Sequence, residues 1–122
     1  MWSDKYNYYN IQSDRLFTQK IDIETVVNVL LQTSCLKQKS RQTFSNTESF
    51  PWVDITIADT KDGNFSTSDK EIHFVRLISI VCSKGKNINQ TIYTDVFLEI
   101  AKTLNWKLYL EDNDDDIEIK QE

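Results

Sequence analysis

The feature that most constrains this chain is a change of hydrophobic period that happens twice. Ile23, Val26, Val27, Leu30 and Leu31 recur at the spacing that lines one face of a helix. Asp22 is placed to cap that helix, its carboxylate accepting an amide proton of the first turn, and Glu24 sits near the positive end of the helix dipole. The β-branched residues in the run work against a helix, so burial has to hold it, and the pattern predicts a first helix over about 22–34. The same period returns in Tyr93, Val96, Phe97, Ile100, Ala101 and Leu104, with Asn89 as the N-cap and Asn105 as the stop. Between and beyond these runs the period is two. Val53, Ile55 and Ile57 alternate with Trp52, Asp54 and Thr56, and Trp106, Leu108 and Leu110 alternate with Lys107, Tyr109 and Glu111.

Two further strands complete the reading. Tyr6 to Ile11 puts Tyr9 and Ile11 on one face, and His73 to Cys82 is nearly continuous in apolar residues, as a central strand is. Residues 35–50, with Lys37, Lys39 and Arg41, read as a helix tail and then a loop; Asp59 to Ser68, with Asp62-Gly63-Asn64 at its tip, reads as a surface loop. Ser83 to Asn87 turns the chain, and Ile117-Glu118-Ile119 can add a short edge strand. Two glycines and one proline in 122 residues favour one compact domain of a few long elements. The order β-α-β-β-α-β predicts an α+β fold of the ferredoxin-like split βαββαβ kind, an antiparallel sheet with two helices on one face. Right-handed crossovers then place the first and third strands centrally, and the other face of the sheet is left open.

Catalytic patterns are sparse. The one histidine, His73, stands at a strand start, where a polar residue is ordinary, and Asp54 beside Thr56 occupies a position that alternation turns to solvent. No glycine-rich phosphate loop and no Cys/His cluster occurs, so no cofactor and no metal is expected. Cys35 and Cys82 match no metal spacing and are expected as free thiols that pack as small apolar residues. The opening Met1 to Asn7 lacks the basic start and apolar run of a secretory leader, and no stretch approaches the ~18 apolar residues of a membrane span. A cytoplasmic location without a membrane is therefore expected, which makes the triplets at Asn64 and Asn89 chance matches to the glycosylation signal.

Charge is concentrated at one end. From Glu111 onward seven acids stand against Lys120 alone, a balance of -6, while the 110 residues before them hold 13 bases and 12 acids. Phosphate backbones would be repelled, so direct nucleic-acid binding is not expected. Asp112, Asp114 and Asp116 match the first ligands of a calcium loop, but Ile117 stands where that loop needs its turn glycine, and the closing Glu would fall beyond the chain. Two readings of this acidic end from about Glu111 compete. It is a solvated, flexible terminus, or Glu111, Asp112, Asp114, Asp115, Asp116 and Glu118 form a negative patch that steers a basic protein partner.

With its acidic balance, few glycines, a Phe50-Pro51-Trp52 strand opening and the ending Leu104-Asn105-Trp106-Lys107-Leu108-Tyr109-Leu110-Glu111-Asp112, the chain resembles bacterial immunity proteins of contact-dependent inhibition and other polymorphic toxin systems. The resemblance lies in the general build and assigns no binding residue. It implies a non-enzymatic protein that binds and neutralises a cognate toxin domain, such as a basic nuclease. Two other classes compete: a homodimeric regulatory or small-ligand module joined through its open sheet face or edge, and an enzyme with an unfamiliar site.

Overall fold

The computed structural model describes residues 5–59, 72–84, 89–112 and 115–120. The strands are β1 (Tyr6–Gln12), β2 (Ile21–Asp22), β3 (Leu36–Gln38), β4 (Thr43–Asn46), β5 (Val53–Ala58), β6 (Phe74–Val75), β7 (Leu77–Ser83), β8 (Lys107–Asp112) and β9 (Asp115–Ile119). The helices are α1 (Ile23–Gln32) and α2 (Gln90–Leu104). Among the described residues these form an α+β fold: a seven-stranded antiparallel sheet in the order β3-β4-β5-β7-β1-β8-β9, and a two-stranded ribbon of β2 with β6. The four strands expected from the sequence are the contiguous set β5-β7-β1-β8, with β1 and β7 at the centre.

Both helix ends follow from local chemistry. The Asp22 carboxylate accepts from the Glu24 amide at 3.0 Å, and the Asn89 side chain accepts from the Thr91 amide at 3.0 Å, each satisfying an amide the helix cannot. Helix α1 stops where Thr33 turns extended and its hydroxyl donates to Leu30 O at 2.7 Å. Helix α2 stops at Asn105, whose left-handed backbone (φ 57°) lets its amide reach Ala101 O and Lys102 O. The buried side of α1 is Ile23, Val26 and Leu30; that of α2 is Tyr93, Phe97, Ile100, Ala101 and Leu104. Both pack on the sheet face formed by Tyr9, Ile11, Val53, Ile55, Ile57, Ile78, Ile80, Cys82 and Leu108, all buried. Each such fully buried side chain contributes on the order of 1.5–3 kcal/mol. Cys35 and Cys82 are free thiols, the second buried in this core, where desolvation raises its pKa to about 12.

Four expectations need correction. Residues 35–50 are not a helix tail and loop: they hold the β3–β4 hairpin, with Leu36↔Asn46 and Gln38↔Phe44 in register, extending the sheet beyond β5. A single apolar residue in each strand, Leu36 and Phe44, is turned into the core, too few to show an alternation. The run from His73 is not one strand. It breaks at Arg76, whose amide donates to Ala58 O at 2.9 Å and whose guanidinium holds Asp59 at 2.8 Å and Phe17 O at 3.2 Å, so Phe74–Val75 pairs with β2 instead. Leu31, expected in the core, is 44% exposed: it lies within α1 but beside the buried stripe of Ile23, Val26 and Leu30. The sheet, finally, has more strands than the four expected. The predicted loop tip at 62–64 and part of the turn after Ser83 lie outside the described residues.

Candidate functional site

Alternation along the central strands sends every second residue to the face opposite the helices. Across β4, β5, β7 and β1 one rung of that face carries Ser45, Asp54, Val81 and Tyr8. The next carries Thr43, Thr56, Ser79, Asn10, Tyr109 and Glu118. Most of these side chains are half-buried. The face is rich in hydroxyls and aromatic rings, a composition suited to contact with another protein.

One end of the face is closed. The segment 13–20 crosses it, and its fold is dictated by Asp14: the carboxylate accepts from the amides of Leu16 (2.9 Å) and Thr18 (3.2 Å) and from the Thr18 hydroxyl. The Thr18 hydroxyl bond is the main reason the Asp14 carboxyl titrates below its ordinary value. This ring of bonds holds Phe17 in the left-handed region at φ 55°, a conformation costly for a residue with a side chain. Arg15 is thereby set with its guanidinium 5.2 Å above the ring of Tyr109, and Gln12 bonds Asp14 O at 2.8 Å. Under this strap Tyr109 and Gln12 are each only 2% exposed. Burial first, and the Glu118 carboxylate second, raise the Tyr109 pKa.

The acidic hairpin forms one border of the open part. The expected edge strand at Ile117–Ile119 is present as part of β9, which pairs with β8 in the register Tyr109↔Glu118, Glu111↔Asp116 and Asp112↔Asp115. The structure therefore brings Glu111, Asp116 and Glu118 together on the open face. Asp114 lies outside the described residues, and Asp112 and Asp115 are placed through their backbone alone, as the last paired rung. Glu111 accepts a bond from Asn10 Nδ2 at 2.8 Å, and Glu118 stands 3.8 Å from Lys107 Nζ; Asp116 is exposed. Glu111 directly opposite Asp116 is a like-charge pair, which costs a sheet some stability.

The end of the face away from the strap is aromatic. Trp52, one residue before β5, meets Tyr6 of β1 with ring centroids 5.4 Å apart, and the two are 44% and 39% exposed. Trp52 is fixed from below: its carbonyl accepts from the buried Tyr93 hydroxyl at 2.8 Å, and Phe50 packs edge-on against the Tyr93 ring at 5.6 Å. Sequence reasoning marked Trp52 as part of a strand opening and missed its partnership with Tyr6. The two are far apart in the chain, and only strand pairing joins them. Asp54, weighed as a carboxylate site, is held by Lys39 Nζ at 2.6 Å. His73 is exposed, and its carbonyl accepts from the Ile23 amide at 3.0 Å.

Among the described residues no group of three or more His, Cys, Asp or Glu is arranged to hold a metal ion, and no helix is long and apolar enough to cross a membrane. No protein-family model, no curated protein and no solved structure matches the chain.

Proposed function

We propose that this protein is a cytoplasmic, non-enzymatic immunity protein that binds and neutralises a basic, nuclease-type toxin domain through the acidic side of its open sheet face. The observation that carries the reading is the β8–β9 hairpin. It gathers Glu111, Asp116 and Glu118 onto one exposed surface and opposes two carboxylates on a single rung, although that pairing weakens the sheet. A toxin that cleaves nucleic acid needs a cationic surface, and a carboxylate patch on a firm strand pair competes for it without binding nucleic acid itself. The fold belongs to the same reading. The units β1-α1-β5 and β7-α2-β8, interleaved as β5-β7-β1-β8, support a ferredoxin-like core widened by β3–β4 at one edge and β9 at the other.

The test is affinity capture from the native organism with the tagged protein, followed by mass spectrometry and binding kinetics on the captured partner. A net-basic toxin domain is expected. Replacing Asp112, Asp114, Asp115 and Asp116 with Asn should slow its association about tenfold or more at low salt and flatten the salt dependence, since long-range steering acts mainly on the on-rate. Capture of a second copy of this chain alone would favour the homodimeric module instead. Equal association rates for the two forms would remove the hairpin from the interface.

A further inference from the structure

The partner has to meet more than a set of carboxylates, and the aromatic end of the open face indicates what it carries. Trp52 and Tyr6 are two large rings left more than one-third exposed on a face otherwise built of hydroxyls, amides and half-buried side chains. They are not loose. The Trp52 backbone is bonded by the Tyr93 hydroxyl, Tyr93 stacks on Phe97 in the core, and Tyr6 is paired in register with Ser83 on the central strand. A rigid exposed aromatic on a sheet loses little conformational freedom on binding, which is what makes tryptophan and tyrosine effective interface anchors. The acidic border is nearest to Tyr6. Tyr8 follows two residues after Tyr6 on the same face, and its neighbour Tyr9 is opposite Leu110, so Tyr6 stands about two residues along from Glu111 on the adjacent strand, while Trp52 reaches Tyr6 across β7 and lies farther from the carboxylates.

An aromatic pair bordered by carboxylates selects a particular cation. The planar guanidinium lies flat on an indole or phenol and still directs its N–H groups sideways into a carboxylate, whereas the hydrated ammonium of lysine serves the carboxylate better than the ring. This chain already seats a guanidinium of its own on that sheet face, Arg15 over Tyr109 beside Glu118. Building on the reading above, we infer that the Trp52–Tyr6 pair is an arginine-recognition anchor. The basic partner docks across the open face with an arginine stacked on these rings and further cations running to Glu111 and Asp116.

Labelled hexa-arginine and hexa-lysine peptides, titrated at low and at physiological salt against the full chain, test this by fluorescence anisotropy. The wild-type protein should prefer hexa-arginine by about 2- to 30-fold, the range that a cation–π contact supports between exposed and desolvated settings. Trp52→Ala should abolish the preference, Trp52→Phe should keep part of it, and an unchanged thermal unfolding midpoint should show that both fold. Glu111→Gln with Asp116→Asn should weaken both peptides alike and leave the ratio standing. If both peptides bind, depend on the hairpin carboxylates and show no preference, or one indifferent to Trp52, the arginine anchor is wrong while the acidic interface stands. If neither binds the wild-type protein at low salt, both readings fall.

Discussion

The two faces of the central sheet are made by the same strands and yet share almost no chemistry. On the helix side Tyr9, Ile55, Ile57, Ile78 and Ile80 are sealed under α1 and α2; one residue along, on the other side, stand Asn10, Thr56, Ser79 and Val81, half open to water. The first face spends its residues on stability. The second contributes little apolar burial except beneath the 13–20 strap, and it collects the features that suit a partner: ordered exposed rings, hydroxyls and a carboxylate border. Stability and recognition are thus separated by a single step along each strand, so substitutions can address one without the other.

The largest effect should come from the sealed face. Phe97→Ala empties a site at the meeting of Tyr9, Tyr93 and the sheet and should cost about 3–5 kcal/mol in urea unfolding. Leu77→Ala makes the comparison sharper. Leu77 is buried although it belongs to the outer face, at the end where the strap crosses. A cost of about 2–5 kcal/mol there shows the strap to be part of the folded core, whereas a loss below about 1 kcal/mol would return that end of the face to solvent.

How much of this was legible from residues alone follows the same division. The sealed face announces itself, because burial of one side imposes a period of two on β5 and of 3.6 on α2, and Asn89 and Asn105 mark the helix ends with side chains suited to caps. Leu30, Ile55 and Phe97, which carry periods of this kind, are all buried on that face. The β3–β4 hairpin was illegible since an edge strand that buries one side chain has no period to show. The break at Arg76 depends on Asp59 and the Phe17 carbonyl, partners no local pattern identifies. The open face was legible only as an absence of helices over it. Its acidic border could be read from charge, but the Trp52–Tyr6 pair is created by register.

A smaller and more selective effect separates the faces by pH. Tyr9 and Cys82, both on the sealed side, have pKa values raised by burial to about 12, from ordinary values of 10.0 and 9.0. Each is neutral when protonated, so the unfolded chain releases these protons at a lower pH than the folded one. Their contribution is complete below about pH 9 and is lost as pH rises towards 12. Urea midpoints under reductant should be level from about pH 7 to 9 and then decline, and Cys82→Ala should move the start of the decline up by about one unit. A midpoint unchanged up to about pH 11 would mean that these groups reach water in the folded state.

The smallest effect is the most discriminating, since it compares neighbours. Ser79 and Ile80 are consecutive on β7; Ser79 lies between Thr56 and Asn10 on the open face, and Ile80 lies between Tyr9 and Ile55 under the helices. Ser79→Val introduces a β-branched side chain that suits a strand and displaces only a partly solvated hydroxyl, so stability should change by less than about 0.5 kcal/mol in either direction. Ile80→Ser removes buried methyl groups and leaves a hydroxyl that must find a partner in an apolar layer, a loss of several kcal/mol. A large destabilisation by Ser79→Val would mean that a layer closes over this face in the free protein, and the face could not then be the first surface a partner meets. If the change is neutral for folding yet slows or weakens binding of the proposed partner, the open face is recognising it at a position where the fold itself is indifferent.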